Sequence, residues 1–412
     1  MKQKILLKGP LLTRSGYGEQ ARFAMRSLRE HEDKFDIFIQ PLEWGKTSWI
    51  NEINEEREWI DAVIEKTIHY VQQGGKFDIS LQVTVPNEFE ELAATNIGYT
   101  AGIETTKVAP QWIDKSNVMD KLIVVSNHAK QVFESTSYTL INEQTKEEFP
   151  FVLKTPVDVV NYPVKKYDDL PELSLDLSTE HNFLCISQFG PRKNLPNLIK
   201  WFVEEFENDD VGLVLKTNIM KNSLIDREST TAKIKQALAE SSKSRKCKIY
   251  LLHGDMTDEE IHSLYLHKDI HAFVSLTHGE GFGLPIFEAA YCGIPVVTVG
   301  WSGQCDYLFD DYGREHFYNV AFDIQAIQKE AVWDGVLQKD SMWAYARKDS
   351  AKQQLRSCLN DLINDNANSC EYAEKLHNKF SEKKMYDAFV ESIIHTTNNK
   401  QGIQQDSKVV VL

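Results

Sequence analysis

Short apolar runs alternate with amphipathic stretches along most of this chain. Ile5–Lys8 predicts a buried strand, followed by a loop through Gly9-Pro10 and a turn at Ser15-Gly16-Tyr17-Gly18. Ala21, Met25 and Leu28 then recur at helical spacing. Residues 55–73 predict a helix and 78–85 a strand. Leu122–Ser126 is a buried-type strand, with a helix from about His128 to Phe133. Between Pro156 and Pro171 the chain carries three prolines and no clear period, which marks an inter-domain linker. The alternation then resumes. Strands are predicted at Phe183–Ser187, Gly212–Lys216, Lys248–Leu252, Ile270–Ser275 and Pro295–Val299, and helices at Leu195–Phe206, 229–240, 257–266 and 285–292. Residues 340–395 read as helical and charged. The tail after Thr396 is polar except for Val409–Leu412 and is expected to be loose. No repeat of fixed period is present.

This βα alternation gives parallel sheets that bind ligands at the strands' C-terminal ends. The expected fold is α/β, with two Rossmann-like doubly wound domains facing each other across a cleft. The expected divisions are 1–165, 166–380, and a last segment 381–412 of a helix (381–394) and tail. A length of 412 residues suits two cores, and 42% hydrophobic residues with eight tryptophans argue against global disorder. The net charge of −15 gives no electrostatic footprint for nucleic acid or an anionic membrane, although a local basic groove is compatible with it. No run reaches transmembrane length, and Met-Lys-Gln-Lys-Ile-Leu-Leu-Lys-Gly reads as a charged first strand rather than a signal peptide. The six cysteines (185, 247, 292, 305, 358, 370) lack CxxC spacing and read as free thiols in a reducing cytosol. A cytoplasmic protein without stable membrane insertion is therefore expected, and no zinc cluster is visible.

The most informative stretch is 278–297, His-Gly-Glu-Gly-Phe-Gly-Leu-Pro-Ile-Phe-Glu-Ala-Ala-Tyr-Cys-Gly-Ile-Pro-Val-Val. Glu280 and Glu288 bracket a glycine-containing turn that runs into a helix. Pro285 suits the first helical turn, where its missing N–H has no intrahelical partner to lose. The unpaired N–H groups and positive dipole end of such a helix start favour an anion such as a phosphate. One carboxylate can then reach a ligand's reacting end while the other holds a part further back.

This string resembles the signature of the retaining glycosyltransferases of the GT-B fold, family 4 (glycosyl transferases group 1), E-x7-E within EGFGLPxxEA. Glu280 and Glu288 have that spacing, and the similarity continues through Gly293-Ile294-Pro295-Val296-Val297 and Ser302-Gly303. It is clearest over about residues 180–310 and weaker in the N-terminal half. The resemblance implies that the last helix, 381–394, crosses back to the first domain. The resemblance implies that Glu280 contacts the donor sugar near the transferring carbon and that Glu288 holds the ribose hydroxyls. The backbone of Gly281, Phe282, Gly283 and Leu284 would face the sugar and diphosphate.

Gly190-Pro191-Arg192-Lys193-Asn194 opens a helix after a predicted strand, where cations are well placed to neutralise a diphosphate. Lys193 matches the family's diphosphate-binding lysine. Gln188 stands near the place of the family's arginine, for which Arg192 is the candidate substitute; the alternative is a solvated Arg-Lys turn. The family also has a glycine loop that closes over the donor. By resemblance Gly16, Tyr17 and Gly18 would supply it, with Gly16 foremost, because glycine lets backbone N–H groups approach a phosphate. Ile97–Val108 lacks the histidine that many members carry near the reacting carbon. Glu104, with Pro110 and Trp112, resembles a version with glutamate there and would orient the acceptor hydroxyl; a plain surface carboxylate is the other reading. His253-Gly254-Asp255-Met256 matches the loop that packs on the nucleotide base, with Met256 as the contact, or is an ordinary βα turn. Trp44 and Trp49 are either acceptor-site walls or core aromatics. His128 reads as a helix-start residue.

No D-x-D pair is present, which suits a metal-independent enzyme in which Lys193, Arg192 and helix dipoles stabilise charge. Catalytic roles fall to Glu280, Lys193, Arg192 and Glu104, with no cofactor. The expected activity is retaining transfer of a sugar from a nucleotide-diphosphate donor, a UDP- or GDP-sugar, to an acceptor hydroxyl. The acceptor is open between a glycan, a lipid-linked sugar, a protein and a modified nucleic-acid base. The rival readings are a non-catalytic sugar-nucleotide or glycan binding protein and a phosphorylase-like enzyme; no pyridoxal-phosphate lysine site is visible for the latter.

Overall fold

The computed structural model describes residues 2–45, 47–239, 244–367 and 369–406. The first sheet comprises β1 (Gln3–Gly9), β2 (Phe35–Pro41), β3 (Ile79–Val83), β4 (Thr95–Thr100), β5 (Lys121–Val124) and β8 (Val157–Val159). They lie in the order β2-β1-β3-β4-β5-β8, every neighbour parallel. A separate antiparallel hairpin, β6 (Ser137–Ile141) and β7 (Glu148–Val152), stands outside this sheet. The second sheet comprises β9 (His181–Ile186), β10 (Val211–Lys216), β11 (Lys248–Leu252), β12 (Ala272–Ser275), β13 (Val296–Val299) and β14 (Tyr318–Val320). It is ordered β11-β10-β9-β12-β13-β14 and is again parallel. Central strands are apolar runs because crossover helices bury both their faces; every residue of β3, β4, β12 and β13 is buried.

In each sheet the strand order reverses once, between β1 and β3 and between β9 and β12. Loops leaving the C-terminal ends of strands flanking such a reversal diverge and leave a crevice. In the second domain these loops are 187–194 and 276–283, which carry Arg192, Lys193 and Glu280.

Several elements differ from the expectation. Val157–Val159, placed in the linker, is β8 and pairs with β5, so the crossing between domains begins after it. The helix expected at 229–240 is Leu224–Ala237. It starts earlier because Ser223 caps it, its side chain accepting from the Asp226 N–H; residue 240 lies outside the described residues. Within the region read as helical, Met342–Ala346 is β16, antiparallel to β15 (Phe322–Ala326). Helices Lys348–Ile363 and Cys370–Lys379 follow.

The last helix, Glu382–Asp406, packs Phe389 against Phe23 (5.2 Å between ring centres) and Tyr99 (4.9 Å) of the first domain. Ser392 Oγ donates to Asp158 at 2.7 Å. The segment after Thr396, expected to be loose, is helical to Asp406. Thr396 and Thr397 are buried, and Lys400 Nζ donates to the Ala94 carbonyl (2.5 Å) and pairs with Asp120 (2.8 Å). Val409–Leu412 lie outside the described residues.

Candidate functional site

Asn194 takes the left-handed conformation (φ 55°) after the short 3-10 turn Pro191–Lys193, and its amide donates to the Leu276 carbonyl at 3.1 Å. This bond draws the turn at the end of β9 against the loop that follows β12. Lys193 Nζ thereby reaches Glu280 Oε1 at 2.6 Å. Arg192 Nη1 reaches Glu280 Oε2 at 2.8 Å and the Gly279 carbonyl at 2.6 Å. The other arm of Arg192 crosses the cleft to Glu104 Oε1, 3.1 Å away on the loop after β4. Four residues singled out from the sequence thus form one ion network joining the two domains.

Glu280 is only 6% exposed. Burial pushes its carboxyl up, but the charges of Arg192 and Lys193 and their hydrogen bonds outweigh it and hold it at about 2. Lys193 is shifted down from the ordinary lysine value by burial and by the like charge of Arg192, against the pull of Glu280. Arg192 is raised, Glu104 and Glu280 overcoming its burial.

The loop beneath this network is tied through the Glu280 N–H and the carbonyls of residues 280–283. The Glu280 N–H donates to Ser302 Oγ at 2.9 Å, and the Gly303 N–H to the Glu280 carbonyl at 3.0 Å. Ser126 Oγ of the first domain donates to the Gly281 carbonyl at 2.6 Å. Tyr307 donates to the carbonyls of Phe282 and Gly283. Gly283, with φ 89°, occupies the left-handed position that glycine tolerates and leads into the helix Leu284–Tyr291, which carries Pro285 in its first turn. A Cβ on Gly303 would collide with the Gly281 carbonyl. Gly303→Ala is therefore expected to lose about 1–3 kcal/mol of stability in urea denaturation.

Glu288 accepts from Tyr265 Oη at 3.0 Å. Burial raises its carboxyl to about 7, although Lys165 and the Tyr265 hydroxyl pull the other way. A carboxyl raised this way costs the folded state nothing at acid pH and progressively more as pH climbs from the ordinary carboxylate range through about 7. Glu288→Gln removes that cost. It is expected to match wild type near pH 4 and to exceed it at pH 8 by at most about 3 kcal/mol in urea denaturation.

The first domain supplies the facing wall. The sequence at 15–18 is not a free turn but a helix start. Ser15 caps the helix Gly16–Arg29, its hydroxyl accepting from the Gly18 N–H at 2.9 Å. Gly16 and Tyr17 line the cleft. Gly18 is buried against Thr13, where a Cβ would strike the Thr13 carbonyl. Tyr17 Oη bonds Thr100 Oγ1 at 2.8 Å, and its ring stacks on Trp44 with centres 4.1 Å apart.

The cleft so enclosed has a volume of about 850 Å³. Every other site residue inferred from the sequence lines it: Glu104, Arg192, Lys193, Met256, Glu280, Glu288 and the 281–284 loop. Trp49 does not; it is 42% exposed and bridges Thr13. Trp112 is core, and the His128 ring packs edge-on to Trp301. Sequence reasoning passed over Lys165, which lines the cleft and joins Glu19 (2.9 Å) to Asp258 (3.1 Å) across it. Its place in a proline-rich stretch without period offered no signal. It also passed over Arg14, whose guanidinium donates to the Met256 carbonyl at 3.1 Å. Among the described residues no three His, Cys, Asp or Glu side chains are grouped to hold a metal, and no helix is long and apolar enough to cross a membrane.

Between β14 and the helix Lys348–Ile363, residues 322–346 form a strap across the domain boundary. The Thr106 N–H donates to the Met342 carbonyl (2.9 Å) and the Met342 N–H to Thr106 Oγ1 (3.0 Å); Lys107 pairs with Asp340 (2.6 Å). The same strap holds His278, whose Nδ1 lies 2.7 Å from the Ala344 carbonyl and whose ring stacks on Trp343. Burial holds this imidazole down at about 4, so it is neutral at physiological pH.

Residues 174–330, within the second domain, match the family described as glycosyl transferases group 1. No curated protein sequence matches the chain. Solved structures do match it along nearly its whole length. Anabaena Alr3699/HepE in complex with UDP-glucose superposes with a TM-score of 0.61 at 13% identity, covering 95% of this chain and 100% of that one. Sucrose-phosphate synthase from Thermosynechococcus elongatus gives 0.59 at 12% identity, covering 98% and 100%. The apo form of the lipopolysaccharide outer core galactosyltransferase WaaB gives 0.56 at 13%, covering 96% and 99%. The fold is that of the GT-B glycosyltransferases, two Rossmann-like domains around one cleft.

Proposed function

We infer that this chain, a GT-B protein with a glycosyl transferases group 1 domain at residues 174–330, is a retaining glycosyltransferase that takes its sugar from a nucleoside-diphosphate donor. The observation that carries the reading is the Glu104–Arg192–Glu280–Lys193 network at the switch point of the second sheet. In it two half-buried cations stand beside the carboxylate that would face the sugar.

The demanding step is departure of the nucleotide, because negative charge builds on its β-phosphate as the bond to the anomeric carbon breaks. Lys193 and Arg192 meet that charge within a cleft already shaped for it, so little reorganisation is needed. The acceptor oxygen attacks the anomeric carbon from the face the phosphate leaves. Its proton passes to the departing phosphate oxygen, giving a glycoside of retained configuration and a nucleoside diphosphate. Glu280 positions and polarises the sugar, Glu288 holds the ribose, and Met256 and its neighbours flank the base. Glu104, held by Arg192, orients the acceptor hydroxyl. Charge stabilisation by these cations makes the reaction metal-independent, and the free cysteines suit a cytoplasmic enzyme.

UDP- and GDP-sugars are the donors to try first. Calorimetry with UDP, GDP, ADP and CMP is expected to show one selective binder, weakened in Lys193→Ala. Turnover is expected to survive EDTA, and the product's anomeric coupling in NMR to match the donor's. A well-folded protein that binds none of the four nucleotides would sink the reading. Binding without donor hydrolysis or transfer would favour a sugar-nucleotide binding protein instead.

A further inference from the structure

We propose that the acceptor is an uncharged carbohydrate whose ring stacks on Trp44. The inference rests on the donor reading above and concerns the first-domain wall of the same cleft. Trp44 lies on the segment 42–54 between β2 and the helix Glu55–Gln72. Although irregular, this segment is built into the domain. The Arg14 N–H donates to the Ser48 carbonyl at 2.8 Å, the Ile50 N–H to the Leu12 carbonyl at 2.9 Å, and Trp49 bridges Thr13. The Trp44 carbonyl accepts from Thr47 Oγ1 at 2.7 Å, which closes the turn. The indole stacks on Tyr17, ring centres 4.1 Å apart, which is itself fixed through Thr100. The cleft therefore presents a braced aromatic platform beside Gly16, at the start of the helix expected to face the donor's phosphates.

What surrounds the platform selects the ligand. Thr47 and Ser48 line the cleft next to it. The cations of this wall are already committed: Arg14 to Glu52, Arg26 to Glu56 at 2.7 Å, and Arg57 to Asp61 at 2.9 Å. Among the described residues of this wall an acceptor phosphate or carboxylate would find no spare positive partner, and it would face Glu52 and Glu56. A lipid chain needs a continuous apolar groove, whereas the aromatic pair and the neighbouring Leu11, Leu12, Ile50 and Ile60 are interrupted here by Arg14, Thr47, Ser48, Glu52 and Glu56. A neutral sugar ring has the matching anatomy, with C–H groups on its face for the indole and hydroxyls on its rim for the polar surround.

The test uses the full chain with the sugar nucleotide that the calorimetric screen selects. Maltose, cellobiose and lactose are offered as neutral acceptors, glucose 6-phosphate and glucuronate as charged ones, and undecaprenyl phosphate in detergent as the lipid arm. Released nucleoside diphosphate is the readout. At least one neutral sugar is expected to be used in preference to the charged and lipid arms. Trp44→Ala is expected to raise its KM roughly tenfold while the nucleotide Kd stays unchanged, and Trp44→Phe to recover most of the loss. Preference for a charged or lipid acceptor, no use of any neutral sugar, or an unchanged KM in Trp44→Ala would each overturn the proposal. Failure of the wild-type protein to bind any nucleotide would instead overturn the donor reading beneath it.

Discussion

Lys193→Ala is expected to lower the rate of sugar transfer by about 10²–10³-fold, the loss typical when one preorganised charge-stabilising donor is removed from an enclosed site. Lys193 sits 2.6 Å from Glu280, and burial and Arg192 both press on its charge. A leaving diphosphate relieves that pressure as its own charge grows, which is what ties the lysine to the transition state more than to the ground state. The variant keeps Arg192 to pair with Glu280, so circular dichroism and the thermal midpoint should show a folded protein. Single-turnover transfer near the wild-type rate would remove Lys193 from the mechanism.

Glu280→Gln should separate binding from chemistry in opposite directions. Transfer is expected to fall by a comparable 10²–10³-fold as the charged contact to the sugar is lost. Nucleoside diphosphate is expected to bind about tenfold more tightly, because Lys193 and Arg192 are then released from their carboxylate and free to meet a phosphate. A residue that only held the loop in shape would weaken both. The pH dependence of stability has a definite sign. With its folded-state value pulled down to about 2, Glu280 contributes stability above the ordinary carboxylate range and loses it as pH falls through about 2. The glutamine variant should be about 3 kcal/mol less stable than wild type at pH 7 and converge with it near pH 2, as read by urea denaturation. Equal stability at pH 7, with nucleotide affinity unchanged, would mean that the ion network carries neither role.

The two sheets were readable because strands covered by helices on both faces are written as bare apolar runs, and β9, β10, β12 and β13 look like that in the sequence. Glu280 and Glu288 were readable from spacing, and Lys193 from standing where a strand ends. What joins them was not. Arg192 reaching Glu104 is a contact between residues 88 positions apart in number and in different domains, and nothing local to either announces it. The Ser15–Gly18 segment reads as a turn because a serine with two glycines after it fits a turn as well as a capped helix; the Ser15 hydroxyl accepting from the Gly18 N–H makes it the latter. β16 was missed for a related reason. Trp343 and Ala344 are buried against His278, a partner some 65 residues away, rather than against a neighbouring periodic element.

The strap at 322–346 fastens Thr106 and Lys107 to Met342 and Asp340 and, through Ala344, grips His278 two residues before Glu280. The halves of the molecule cannot part along this margin unless those bonds let go together. Any widening of the cleft on this side then waits on the detachment of a short hairpin. The freedom of the cleft to open is thus held by a segment that stands outside its lining.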